Sequence, residues 1–167
     1  MSSGAIRVSA VDRSSVSVQE LEALLHRVYV EGGFTDPHVA EAAFAGDAVL
    51  ARGELLITRD ESTGALTGMV IVVDPGSRAR RIASDDEVEM HLLAVAPDHR
   101  KTGVGRALVE AAIARGRAKS FGKVVLWTQP AMKDAHRLYE RSGFVRAAAR
   151  DFGSGERTYW VFEKLLI

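Results

Sequence analysis

From Val95 to Arg106 the chain reads Val-Ala-Pro-Asp-His-Arg-Lys-Thr-Gly-Val-Gly-Arg, which sets two glycines and a basic run between a strand-like segment and a long helical one. The first amides of a helix have no intrahelical acceptor, and the helix dipole adds partial positive charge there. A diphosphate is the natural guest of such a helix start. Gly103 and Gly105 lack a Cβ, so the backbone can approach the guest closely, and Arg100, Lys101 and Arg106 can add charge-assisted contacts. Taken alone, the loop also fits a simple tight turn. It is neither a Walker loop nor a G-x-G-x-x-G fingerprint, because position 108 is Leu.

A second group of ionisable residues precedes the loop. Glu87, Glu89 and His91 alternate, so on a strand they share one face. Three such groups are not buried without partners or water, and a solvated face is the ordinary reading for Glu87. Arg78, Arg80 and Arg81 form a concentrated basic patch, best read as a solvated loop.

The elements that must position these residues follow from periodicity and punctuation. Residues 5 to 10 suit a short strand. Ser17 and Glu20 form an S-x-x-E capping box ahead of Leu21, Leu24, Leu25, Val28 and Tyr29 at helical spacing, and Gly32-Gly33 ends that helix. Asp36-Pro37 opens a second helix, expected through about Ala45. Leu55 to Arg59, Ala65 to Val73 and Val88 to Val95 read as strands, the first two joined by turn chemistry at Asp60 to Gly64. A helix from about Gly103 to Lys119 carries Leu108, Val109, Ala112 and Ile113 on one face. Lys123 to Thr128 is a strand, Pro130 opens a helix to Ser142 with Gly143 as its cap, and Phe144 to Ala149 pairs with Thr158 to Leu165. That order predicts an α+β (mixed α/β) fold, a mixed sheet with helices on its faces.

Composition sets the outer bounds. The chain has 167 residues with 47% hydrophobic and 26% charged content, which suits one domain over residues 1 to 167. Its 22 Lys plus Arg balance 22 Asp plus Glu, so the whole-chain field gives no nucleic-acid footprint. No apolar run is long enough for a membrane span, and Met1 to Ala10 shows no signal pattern, so a cytoplasmic location is the expectation. Cysteine is absent, which excludes disulfides and thiolate chemistry, and five scattered histidines imply no metal.

Two motifs then act jointly. Arg100-x-x-Gly103-x-Gly105 after Leu93-Ala94-Val95 resembles the R/Q-x-x-G-x-G/A signature of the GNAT acetyltransferases, and Ala135-His136-Arg137-Leu138-Tyr139-Glu140-Arg141-Ser142-Gly143-Phe144 resembles their A-x-x-L-Y-E-x-x-G-F signature. The resemblance implies a mostly antiparallel sheet whose central strands splay apart, with acetyl-CoA as acyl donor. Its pantetheine arm would enter the splay as an added strand. By resemblance, the main chain of Leu93, Ala94 and Val95 holds the arm, and the amides of Lys101, Thr102, Gly103, Val104, Gly105 and Arg106 hold the pyrophosphate. Tyr139 occupies the position of a general acid for the departing thiol, or else is a core aromatic on the face shared by Met132, Ala135 and Leu138. An attacking amine must be neutral, so a base is expected, with Glu89 and His91 as the candidates. A bulge in this strand would change which residues face the cleft.

Met132 stands where many relatives carry an Asn that contacts the arm, and Thr128 or Gln129 are the substitutes at hand. The acceptor, a small-molecule or peptide amine, would meet residues 18 to 45, 74 to 87 and 150 to 157. Those stretches include Tyr29, Phe34, His38, the arginine cluster and the acids Asp85, Asp86 and Glu87, which fit either attraction of a cationic amine or a mobile solvated loop. A homodimer is a family habit. The alternative to an enzyme is a catalytically silent acyl-CoA-binding regulatory module.

Overall fold

The strands are apolar on both faces, so a sheet built from them has to be covered twice. The computed structural model, which describes residues 5–11 and 13–167, arranges them in that way. Strands β1 (Ser9–Val11), β2 (Glu54–Arg59), β3 (Leu66–Val73), β4 (Glu87–Val95), β5 (Lys123–Thr128), β6 (Val145–Arg146) and β8 (Arg157–Leu165) run in the spatial order β1-β2-β3-β4-β5-β8-β6, and β7 (Phe152–Ser154) pairs with β8. Only β4 and β5 pair in parallel.

Helices α1 (Val18–Leu25), α2 (Pro37–Ala43) and α3 (Gly46–Leu50) pack on one face, against Leu55, Ile57, Met69, Ile71 and Val73. Helices α4 (Val104–Ala118) and α5 (Lys133–Arg141) cover the other, against Leu56, Val70, Val72, Val88, Met90, Val124 and Leu126. The capping box forms as expected: Glu20 N–H donates to Ser17 Oγ at 3.1 Å, and Ser17 N–H donates to Glu20 Oε2 at 2.9 Å. No helix among the described residues is long and apolar enough to cross a membrane.

Several boundaries depart from expectation. The first strand lies at Ser9–Val11 rather than 5 to 10, and the first helix ends in a wider π-type turn over His26–Val30. The second helix stops at Ala43. Gly46 then opens α3, pressed so closely on α1 that a Cβ there would sit 2.5 Å from Val18 Cγ1. The helix expected from Pro130 starts at Lys133, and the strand expected over 144 to 149 is paired only at Val145–Arg146. A short 3₁₀ turn at Ala148–Arg150 takes its place, because Arg150 turns inward to bind Glu87 and Glu163.

Two irregularities create the site. Along β4 the register against β3 shifts between His91 and Ala94, and Leu92 takes φ 51°, which marks a bulge. Before it, Glu87, Glu89 and His91 lie on the face of Ile71 and Val73; after it, Ala94 and Ala96 pack there instead, while Leu93 and Val95 turn to the α4 face. Pairing between β4 and β5 runs from Glu87↔Lys123 to Met90↔Leu126 and stops, so the strands part just where the chain bulges.

Candidate active site

The parted strands open into a cavity of about 200 Å³. It is lined by Leu93, Thr128, Gln129, Met132 and Tyr139 together with Tyr29, Arg52, Arg81, His91, Trp127, Arg157 and Tyr159.

Immediately beyond β4 the chain turns into α4 through residues with left-handed backbone. Lys101 has φ 60° and Gly103, the residue before the helix, has φ 90°. Among the described residues no backbone amide from Lys101 to Arg106 donates a hydrogen bond of good geometry to a protein group. Arg100, Lys101, Thr102, Gly103 and Arg106 are exposed around this row of donors, while Val104 is anchored in the core. Thr102 folds its hydroxyl back onto the carbonyl of His99. Gly105 also answers a packing need. A Cβ there would meet Leu138 Cδ2 at 2.9 Å, so this glycine lets α4 and α5 touch.

These features fit a diphosphate carrier with an extended arm. The cradle supplies unpaired N–H donors with partial positive charge, and the parted β4 edge at Leu93, Ala94 and Val95 lies next to it. Thr128 adds a buried hydroxyl with no partner among the described residues. An orphaned buried hydroxyl is costly unless a guest satisfies it, and it lies on the pocket wall alongside Met132, where the expected Asn is missing. The carbonyl of Leu93 is already engaged, since Tyr29 Oη donates to it at 2.9 Å.

Glu89 and His91 meet beside the cavity, which His91 lines and Glu89 does not. Glu89 is fully buried. Its Oε2 accepts from the amides of Arg81 at 2.8 Å and of Ile82 and Ala83 at 2.6 Å, and its Oε1 lies 2.7 Å from His91 Nε2. Burial alone would raise this carboxyl's pKa, but the His91 hydrogen bond and the amides of Ala83, Ile82 and Arg81 outweigh it and hold the group below its ordinary value. His91 Nδ1 lies 3.3 Å from Arg52 Nη1. A guanidinium only donates, so Nδ1 is the acceptor and Nε2–H the donor to Glu89. Burial lowers the His91 pKa, against the pull of Glu89, and the ring is neutral at pH 7. Trp127 packs edge-on to it with centroids 4.6 Å apart.

Tyr139 lies across the gap, buried against Phe144 and Phe162. It is a core aromatic, as one of its two readings had it, and it also lines the pocket. Burial pushes its pKa up, so it keeps its proton at every ordinary pH.

Two expectations are corrected. Glu87 is not on a solvated face; it is 5% exposed and ion-paired with Arg150 at 2.9 Å, which brings its carboxyl down to about 2 in spite of burial. Asp85 and Asp86 likewise do not line the pocket: Asp85 pairs with Arg80 and Asp86 accepts from the Gly122 amide. The basic loop divides. All three arginines are exposed, but Arg81 also lines the pocket, its guanidinium 4.8 Å from the Phe152 ring centroid. His38 stays exposed and outside the lining, while Tyr29 is part of it. Arg52, Trp127, Arg157 and Tyr159 were not singled out from sequence. For Trp127 a signal existed, since it stands two residues past Val125, the register partner of Glu89, and so shares its face.

A twisted mixed sheet parted at a bulge, with a bare helix start beside the gap, is the architecture of an acyl-carrier-dependent transferase. The family model described as Acetyltransferase (GNAT) family matches residues 18–144, and the chain belongs to that family, whose members use acetyl-CoA. Among curated proteins the chain is similar to a mycothiol acetyltransferase of Cellulomonas flavigena, 39% identical over 98 residues, a stretch that covers 58% of this chain and 27% of the relative. It is also 31% identical over 87 residues to N-acetyltransferase family 8 member 3 of Rattus norvegicus, covering 50% of this chain and 36% of that protein. The chain thus spans well under half the length of these relatives. Among solved structures, an acetyltransferase from Streptococcus agalactiae superposes with a TM-score of 0.76 at 20% identity, covering 98% of this chain and 99% of that one. A Bacillus subtilis acetyltransferase in complex with CoA superposes at 0.69 with 19% identity, covering 98% and 100%. At such identities the likeness shows the fold.

Proposed function

We propose that this acetyltransferase moves an acetyl group from acetyl-CoA to a primary amine by direct attack within a ternary complex. The observation that supports this most is the row of undonated amides from Lys101 to Arg106 beside the parted edges of β4 and β5. Those amides, with Arg100, Lys101 and Arg106, would hold the diphosphate; the main chain of Leu93, Ala94 and Val95 and the Thr128 hydroxyl would hold the arm. When bound, acetyl-CoA supplies an activated thioester carbonyl.

His91 is the base in this reading, and Glu89 positions it. Glu89 is a poor proton acceptor because four donors already occupy it and its pKa is lowered. The same contacts make it a good orienter: it fixes the His91 tautomer and stabilises the imidazolium that forms once Nδ1 takes a proton. A neutral imidazole at pH 7 is the form a base needs. Tyr139 assists from the opposite wall. A free thiol has a pKa of about 8.5, and burial holds the Tyr139 hydroxyl well above its ordinary value, so its role is a hydrogen bond donated to the departing sulfur rather than full proton transfer.

The test is thiol release from acetyl-CoA across a broad amine panel, with thermal shift by CoA run in parallel. Turnover with at least one amine class, reduced in His91→Asn, is expected. Saturable CoA binding with no turnover on any amine would instead make the protein a silent acyl-CoA-binding module.

A further inference from the structure

The pocket holds positive charge that no carboxylate among the described residues compensates. Arg52, Arg81 and Arg157 all line it, and none of them pairs with a carboxylate among the described residues. Elsewhere, half-buried arginines are neutralised: Arg59 by Glu20, Arg146 by Asp151, Arg150 by Glu87 and Glu163. The three pocket arginines have only neutral partners. Arg52 donates to the Ala43 carbonyl at 3.0 Å and to His91 Nδ1, and Arg157 donates to the Phe34 carbonyl at 3.1 Å. Arg81 lies over the rings of Phe152, Trp127 and Tyr159.

Each guanidinium has five N–H donors in a planar fork, so all three keep donors for a guest. No Asp or Glu among the described residues lines the cavity, and Glu89 beside it has its lone pairs filled. Arg52 and Arg157 are half-buried and Arg81 is exposed; cations without a carboxylate partner in a cleft favour an anion, and guanidinium planes favour a carboxylate.

We propose that the acceptor is an amine that also bears a carboxylate, an amino-acid-like molecule clamped by Arg52, Arg81 and Arg157. This rests on the acyl-transfer reading above and names the substrate class of that same site. The clamp also bears on the base. A carboxylate that draws Arg52 Nη1 away from His91 Nδ1 leaves that nitrogen free to accept the proton of the attacking amine, so the right acceptor unmasks its own base.

The experiment compares kcat/KM for matched pairs: L-phenylalanine with phenethylamine, L-lysine with cadaverine, and phosphoethanolamine as the phosphate-bearing arm. It uses the wild type, Arg81→Met and Arg157→Met, with CoA-dependent thermal shift as the check on folding. In parallel, N-acetyl amino acids are titrated and followed by tryptophan fluorescence, since Trp127 forms part of the site. The expected result is a preference of about ten- to a hundredfold for the carboxylate-bearing partner, the range for a charge-assisted contact. Each arginine variant is expected to raise KM about tenfold or more and to erase the preference. Equal or inverted preference, or preference for the phosphate-bearing amine, overturns the clamp while leaving acyl transfer intact. If no amine is acylated, the acyl-transfer reading fails and the fluorescence titration decides the clamp: saturable carboxylate binding lost in Arg157→Met upholds it, and absence of binding overturns it.

Discussion

Replacing Glu89 with glutamine removes a charge on which one loop and one histidine converge. The carboxylate is fully buried and accepts from the amides of Arg81, Ile82 and Ala83 and from His91. Glutamine keeps one acceptor oxygen but turns an NH₂ toward donors. Leaving a buried donor without its acceptor costs about 1–3 kcal/mol for each such group. At about 2–4 °C per kcal/mol for a domain of this size, one such group lowers Tm by roughly 2–12 °C. The assay is urea unfolding of wild type and variant from pH 8 to pH 4. The folded pKa of Glu89 is depressed, so its stabilisation is present in full above the unfolded carboxyl value of about 4.3 and is lost as pH falls through the folded pKa. The stability gap therefore holds or widens from pH 8 to 5 and narrows only below about 4.3. A gap under about 1 kcal/mol would refute the packing argument. A gap that narrows between pH 7 and 5 would refute the assignment of roles, because Glu89 would then be taking up a proton where a base does.

Four further outcomes follow from the geometry. Tyr139→Phe lowers kcat about 10- to 100-fold, the loss expected for one hydrogen bond to a charged group, and leaves the Kd for CoA within about twofold by calorimetry, since the proposed partner of the hydroxyl is the sulfur and not the phosphates. Gly103→Val forces a branched side chain to φ 90° with its Cβ 3.3 Å from Ile6 Cδ1, and a left-handed non-glycine costs about 1–2 kcal/mol; CoA affinity measured by thermal shift falls about tenfold, with secondary structure by circular dichroism unchanged. The pH profile of kcat keeps its plateau below pH 6.5, because burial lowers the His91 pKa, and the acidic limb disappears from the residual activity of His91→Asn; a limb centred above 6.5 would exclude this histidine as the titrating base. Arg150→Met leaves the buried Glu87 carboxylate without its ion pair and lowers stability by about 1–3 kcal/mol in urea melts.

Much of the fold was legible because its signals are local. Ser17-x-x-Glu20 caps a helix through atoms three residues apart, Asp36-Pro37 starts the next, and a run such as Val124-Val125-Leu126 suits a strand wherever it packs. The Arg100-x-x-Gly103-x-Gly105 loop could be read the same way, since its bare amides follow from where one helix begins. What sequence order could not express was company. Glu89 and His91 read alike as candidate bases, because the three amides from residues 81–83 around Glu89 leave no mark in its strand pattern, and Glu87 looked solvated until Arg150 arrived from across the sheet. Gly105 read as a phosphate glycine, and the pressure of Leu138 from another helix on the same position was not legible. Arg81 and Arg157 fall in stretches expected to meet the acceptor, but Arg52 stands in a separate segment with nothing in the sequence to join it to them. Helix starts, turns and strands are set by neighbours along the chain; pKa values, tautomers and pockets are set by neighbours through space, which only the bulge at Leu92 and the parting of β4 from β5 bring together.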